Sequence, residues 1–310
     1  MIPSAAEVRS YWSGLSNWGR WGDEDDLGTL NLITPAVRVA AARLVVRGAA
    51  ISCARTVTFA AAADDVYGPP CRQVLGPGRR LTTHPEEPAA AVVERVELAF
   101  HGRSMTHLDA LSHISWQGST YGGRPDDLPS AGDGAHPLAV TAAAGGVVTR
   151  GVLLDEAARR NTRWLEPGDG VLPEHLDACE QRQGVQVRPG DAVLLRTGYG
   201  RKRAREGPDP GDGGQPGWHA ACLPWLRARD VALVGSDTAN DVAPSGYPGL
   251  RSPVHAVGIV AMGLWLLDNC DLEALAAACA RFGHWEFCLV VAPLVLEGAS
   301  GSPVNPIAML

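Results

Sequence analysis

Between Val92 and Phe100, apolar positions (Val93, Val96, Leu98, Phe100) are set against charged ones (Glu94, Arg95, Glu97), the period-two pattern of a strand. Denser apolar runs predict further strands. These cover Val147–Leu154, Asp191–Arg196 after a Pro189-Gly190 turn, the buried Val231–Gly235 and the β-branched stretch Glu286–Leu296. Helices are predicted over Val37–Val46, Pro173–Gln183, Trp218–Arg229 and the Ala-rich Leu272–Phe282. The first has Thr34 as N-cap, Pro35 in its first turn and Gly48 as its stop. Residues 60–90 are rich in Gly, Pro and Ala and read as loops, and Tyr199–Gly217 reads as a flexible surface loop in preference to a lid. Strands and helices mix without strict alternation, with no internal repeat. Gly298–Pro306 has the glycines of a phosphate loop, but it has no Lys and precedes no helix, so it reads as turns.

Composition narrows the function classes. The 310 residues are 45% apolar and 20% charged, enough to bury a sizeable core. A formal charge of -7 disfavours nucleic-acid partners. The dense basic run Arg201, Lys202, Arg203, Arg205 sits among Gly, Pro and Asp and reads as solvated. The longest apolar run, Val257–Leu267, falls short of the roughly 20 residues of a spanning helix, so no membrane association is expected. Met1–Leu15 lacks the apolar core of a signal peptide. Seven widely spaced cysteines without a C-x-x-C fit reduced, buried thiols and a cytoplasmic location.

The chemistry concentrates in Phe100–Gly123, which contains His107-x-Asp109-x-x-x-His113. In extended backbone His107 and Asp109 face the same side. If a helix starts near Asp109, His113 shares its face four residues on. Imidazole and carboxylate together suit Zn²⁺, Mn²⁺ or Fe²⁺, and a third side chain can carry a proton. A core histidine and a capping aspartate would leave the same pattern, and motif matches carry real false positives.

The segment resembles the signature H-x-G-T-H-x-D-x-P-x-H of the cyclase family of metal-dependent hydrolases, which includes kynurenine formamidases and isatin hydrolases. WGDEDDLGTLNLITP (Trp21–Pro35), GVVTRGVLLD (Gly146–Asp155), PGDAVLLRTG (Pro189–Gly198), ARDVALVGSDTANDVAPS (Ala228–Ser245) and GASGSPVNPIAML (Gly298–Leu310) are similar to blocks of its longer members. The resemblance implies a mixed α/β fold of the swivelling β/β/α kind, with an N-terminal arm (residues 1–50) and a catalytic domain (51–310). It implies a homodimer or homotetramer and a divalent ion, Zn or Mn. It also implies hydrolysis of a small, aromatic amide, lactam or lactone by water activated at the ion.

Residue by residue, His107 and Asp109 match metal ligands, and Asp268 lies one position beyond a ligating glutamate. His113 matches the proton carrier, and His255 a histidine in the second half of the site. The sequence departs from the pattern at the first ligand histidine, which is Arg103 here, and at Met105 and Leu111. His101 lies nearby but out of register. An arginine repels a cation or binds an anionic substrate group, so one ion and a metal-free site both stay open.

Trp116 and Tyr121 are candidate walls of an aromatic pocket, with Trp18 and Trp21 contributing from the arm. Asp237, after a buried strand, is a candidate substrate ligand, with capping or turn work by Asp237, Asn240 and Asp241 as the alternative. His84, His136, His175, His219 and His284 lack partners at useful spacing and read as structural or surface residues. Beside the hydrolase stand a metal-independent cyclase or dehydratase of polyketide-like intermediates, using His113, Asp109 and Arg103, and a non-catalytic binding protein.

Overall fold

The apolar run of Val147–Asp155, buried along almost its whole length, lies inside a nine-stranded mixed sheet, where both faces of a strand are covered. The computed structural model describes residues 2–75, 92–126 and 137–310. His84 and His136, and the 76–90 part of the expected loop region, lie outside the described residues.

In chain order the helices are α1 (Ala5–Gly14), α2 (Pro35–Ala42), α3 (Glu156–Arg159), α4 (Pro173–Gln183), α5 (Tyr199–Glu206), α6 (Cys222–Ala228), α7 (Pro253–His255) and α8 (Glu273–Phe282). The strands are β1 (Ala50–Ser52), β2 (Cys71–Val74), β3 (Glu94–Glu97), β4 (His107–Asp109), β5 (Val147–Asp155), β6 (Gly170–Val171), β7 (Ala192–Arg196), β8 (Gly217–Trp218), β9 (Leu233–Ser236), β10 (Trp265–Asp268), β11 (Glu286–Val291), β12 (Gly301–Pro303) and β13 (Ile307–Met309). The large sheet runs β1-β13-β11-β5-β7-β9-β10-β4-β12. Its centre, β5-β7-β9-β10, is parallel, and its flanks are antiparallel. The chain is therefore a mixed α/β protein.

The flank carrying β4 sets the site. β4 pairs with β10 so that His107 sits opposite Asp268 and Leu108 opposite Leu267. Leu108 is fully buried on the other face, which fixes the register, because a slip of one residue would turn His107 and Asp109 into the apolar layer. The first fifty residues are tied to the same region. Asn17 Nδ2 donates to the Met262 carbonyl (2.8 Å) and Trp18 Nε1 to that of Val260 (2.7 Å).

Several elements differ from expectation. The helix expected over Val37–Val46 starts at the Thr34 cap and Pro35 but ends at Ala42, before Gly48. Trp218 belongs to β8, and the helix expected from it begins only at Cys222. The strand expected to reach Leu296 stops at Val291. Within the expected loop region, Cys71–Val74 forms β2 and pairs with β3 as a fully exposed ribbon. The basic run forms α5 instead of a loop. Arg203 pairs with the buried Asp64 (2.7 Å), Lys202 with Glu206 (2.5 Å) and Arg201 with Glu273 (2.5 Å). These partners lie four residues on or far away in sequence, so the local Gly and Pro content hid the helix.

Candidate metal centre

Two-residue spacing along β4 places His107 and Asp109 on one face, at the end of the sheet where a cavity of about 1020 Å³ opens. His113 arrives by a tight turn, in which its N–H donates to the Ala110 carbonyl (3.0 Å), and not by the helix expected there. Asp268 comes across from β10. His255 comes from α7, whose first turn is held by Asp241. The Asp241 carboxylate accepts from the N–H groups of Val254 (2.7 Å) and His255 (3.1 Å).

Four imidazoles surround the Asp109 carboxylate. Nε2 of His101, His107 and His255 each stand 3.4 Å from an Asp109 oxygen, and Nε2 of His113 stands 3.8 Å away. Asp268 Oδ2 lies 3.3 Å from His255 Nε2 and 3.7 Å from His107 Nε2. These separations are long for charge-assisted hydrogen bonds, which are typically about 2.7–2.9 Å. They match the roughly 3.4 Å between two ligand atoms bound tetrahedrally to one ion at about 2.1 Å each. Both Asp109 oxygens are buried without a hydrogen-bond partner among the described residues. A fully buried carboxylate left so is costly unless a cation completes it. Among the described residues, two trios bring their ligand atoms within 4.8 Å of one another: His107, Asp109, Asp268, and His101, Asp109, His113, of which the two stacked rings can turn only one in-plane lone pair to an ion. The donor set thus fits a divalent ion.

The tautomers agree. His107 Nδ1 lies 3.1 Å from the Met105 carbonyl, an acceptor only, so Nδ1 carries the proton and Nε2 turns its lone pair to the carboxylates. His255 Nδ1 donates to Asp241 Oδ2 at 2.6 Å, which leaves Nε2 as the ring nitrogen facing Asp109 and Asp268. Asn240 Nδ2 donates to Asp268 Oδ1 (2.5 Å) and orients that carboxylate. In the protein alone, burial pushes the His113 imidazole down to about 4, helped by His101, His255 and His107 and opposed by Asp109. Burial opposes charge on Asp109, but His113, His107, His101 and His255 together hold its carboxyl well below the usual range. Burial also opposes charge on His255, and the carboxylates of Asp268, Asp109 and Asp241 overcome it and raise the imidazole above its ordinary value.

Arg103 lines the same cavity, with Nη1 buried and unpartnered among the described residues. Its backbone carbonyl accepts from Arg55 Nη1 (2.6 Å). The other expected substrate residues lie elsewhere. Trp116 stacks on Trp12, with centroids 4.8 Å apart and planes at 10°, beside Trp18 in a separate groove of about 440 Å³. Tyr121 is buried, and its hydroxyl donates to Asp25 Oδ2 (2.9 Å). Asp237 is fully committed to the α5 start. Its carboxylate accepts from Thr197 N (2.9 Å), Thr197 Oγ1 (2.7 Å), Gly198 N (2.8 Å) and Tyr199 N (3.1 Å). That is the capping alternative, not substrate contact. Sequence reasoning considered Asp241 only for capping or turn work, which it does at the start of α7, and set His101 aside as out of register, yet both side chains also reach the site. Asp241 lies in the same Asp237–Asp241 cluster but fourteen residues before its partner.

A sequence model of the family described as "Putative cyclase" matches residues 56–240. Comparison with curated proteins gave no match. Among solved structures, one described as a novel cyclase is 29% identical with a TM-score of 0.84, covering 95% of this chain and 99% of that one. Isatin hydrolase A from Ralstonia solanacearum is 21% identical with a TM-score of 0.59, covering 89% and 97%. A protein from Bacillus stearothermophilus described as a predicted metal-dependent hydrolase is 14% identical with a TM-score of 0.51, covering 84% and 97%.

Proposed function

The chain belongs to the cyclase family, and from that premise we propose that it is a metal-dependent hydrolase of a small, aromatic amide, lactam or lactone. The observation that carries the reading is the buried Asp109 carboxylate, partnerless among the described residues and ringed by imidazole nitrogens at ligand-like separations. His107, Asp109 and Asp268 would hold the ion, and His255, whose Nε2 stands 3.4 Å from Asp109 and 3.3 Å from Asp268, would join them as a further ligand. A divalent ion there supplies Lewis acidity, polarising a carbonyl and making water a stronger acid.

The remaining work falls to the chain's own side chains. His113, uncharged at neutral pH, accepts a proton at Nε2 and delivers it to the leaving nitrogen or oxygen. Asp241 keeps the His255 ring in the tautomer that presents Nε2 to the site. Arg103 offers Nη1 to an anionic group on the substrate or to the carboxylate that ring opening creates. Tyr67, Ile114 and Tyr247 give the cavity apolar surface for an aromatic ring.

The isatin hydrolase neighbour makes a fused aromatic lactam the first substrate to try. Protein loaded with Mn²⁺ or Zn²⁺ is incubated with isatin, an aryl lactone and an N-formyl arylamine, before and after EDTA. Turnover of at least one of them that EDTA abolishes and the ion restores supports the reading. Turnover indifferent to EDTA points instead to the metal-independent chemistry.

A further inference from the structure

The family pattern has an imidazole at position 103, and this chain has an arginine there. The geometry points to His101 as the replacement, and we propose that it is a ligand of the bound divalent ion through Nε2, acting beside Asp109. The proposal rests on the metal reading of the site and extends it to a residue outside the family motif.

Four observations converge. First, His101 Nε2 is buried, has no hydrogen-bond partner among the described residues and lies 3.4 Å from Asp109 Oδ1, the same separation as His107 Nε2 from that oxygen. Second, the backbone is built to deliver it. Gly102 adopts φ +147°, a conformation that residues with a β-carbon rarely adopt, and a β-carbon there would also meet Val66 Cγ2 at 3.3 Å. Third, Gly301 sits opposite Asp109 in the β12–β4 register, and a β-carbon on it would stand 2.6 Å from the Leu108 carbonyl oxygen and 2.8 Å from His101 Nε2. Glycine at that position leaves the space the imidazole occupies. Fourth, the ring is held in place by stacking on His113, with centroids 4.0 Å apart and planes at 19°.

The stack also divides the labour between the two histidines. Lone pairs of near-parallel rings about 4 Å apart cannot both point at one ion about 2.1 Å away, because one ring would have to bind far out of its plane. His101 has the ligand-like 3.4 Å separation, while His113 stands off at 3.8 Å and stays free to carry a proton. Arg103 is released from ligation and packs against Gly211, where a β-carbon would lie 2.0 Å from Nη1.

The test measures metal binding, not turnover. Mn²⁺ is titrated into metal-stripped wild type, His101→Ala, Arg103→Ala and His107→Ala by calorimetry, bound Mn²⁺ is counted after gel filtration, and Co²⁺ visible spectra are recorded. Near-UV circular dichroism checks folding, and His101→Gln serves if the alanine variant does not fold. The expected result is that the His101 variant retains fewer Mn²⁺ per chain or binds it at least tenfold more weakly, with an altered Co²⁺ spectrum, while Arg103→Ala, which removes a nearby positive charge, keeps the wild-type stoichiometry and Co²⁺ spectrum and binds no more weakly. Wild-type stoichiometry, affinity and Co²⁺ spectrum in the His101 variant overturn the proposal. If that happens while His107→Ala loses the ion, only His101 is removed from the account. If His107→Ala also keeps it, the ion does not sit at this site, and if metal-stripped wild type takes up no Mn²⁺ the metal reading itself falls.

Discussion

Replacing Asp241 by Asn isolates the support behind the site without touching a group that faces the proposed ion. One Asp241 oxygen, Oδ2, accepts from His255 Nδ1 at 2.6 Å and from His255 N at 3.1 Å, while Oδ1 accepts from Val254 N at 2.7 Å. An asparagine amide has one acceptor for these two positions. If its oxygen stays toward His255, the Val254 N–H loses its partner and only stability suffers, by about 1–2 kcal/mol. If its NH₂ turns toward His255, Nδ1 must become the acceptor, the proton moves to Nε2, and the ring no longer offers a lone pair to the site. A charge-assisted hydrogen bond of this length contributes about 1.5–3 kcal/mol. At about 1.4 kcal/mol per factor of ten, that is roughly 10- to 100-fold, the range typical when a partner behind a metal-binding histidine is removed. We therefore expect Asp241→Asn to weaken Mn²⁺ binding and lower kcat/KM by roughly that range, with the near-UV spectrum preserved. Calorimetric titration and steady-state kinetics on the same preparation are the assay. A variant with wild-type Kd, kcat/KM and denaturant stability together would refute the reasoning, since one of the two orientations must cost either binding or stability.

Other outcomes follow from the same geometry. Asp237→Asn leaves the Gly198 and Tyr199 N–H groups short of an acceptor at the α5 start, so it should cost about 2–4 kcal/mol in a denaturant melt, with KM unchanged in the protein that remains folded. Arg103→Ala should raise KM about tenfold for substrates bearing a carboxylate and much less for neutral ones, and an equal effect on both would remove its anchoring role. Gly211→Ala, whose new β-carbon would collide with the guanidinium, should reproduce that pattern more weakly. Burial pushes the Cys53 and Cys279 thiols up to about 12 and raises those of Cys179, Cys222, Cys270 and Cys288, whereas Cys71 is exposed. A thiol reagent should therefore label Cys71 rapidly and the others only on unfolding, and several fast thiols in the native protein would contradict that burial.

Much of the sheet was readable because its central strands are buried on both faces and leave continuous apolar runs, as β5, β7 and β9 do. The ends of elements were less readable, since tertiary contacts decide them. α5 exists because Asp237, Asp64 and Glu273 reach it from distant parts of the chain. In the site, His107 and Asp109 were legible because a strand's period of two puts them on one face even though β4 is only three residues long. His113 reaches Asp109 through a turn where helical spacing was assumed. The site roles of Asp241, considered only for capping or turn work, and of His101, set aside as out of register, were not legible. The first acts fourteen residues away from its partner, and the second depends on a left-handed glycine and on empty space across a strand pair. Asp237 drew attention because it follows a buried strand, a position that serves a cap as well as a substrate.

The central claim is that an ion belongs beside Asp109. Crystals soaked in MnCl₂ and measured for anomalous scattering test it most directly. The account predicts an anomalous peak within about 2.2 Å of an Asp109 oxygen and of His107 Nε2. A featureless anomalous map, with the four imidazoles closed onto Asp109 in direct hydrogen bonds, would contradict it.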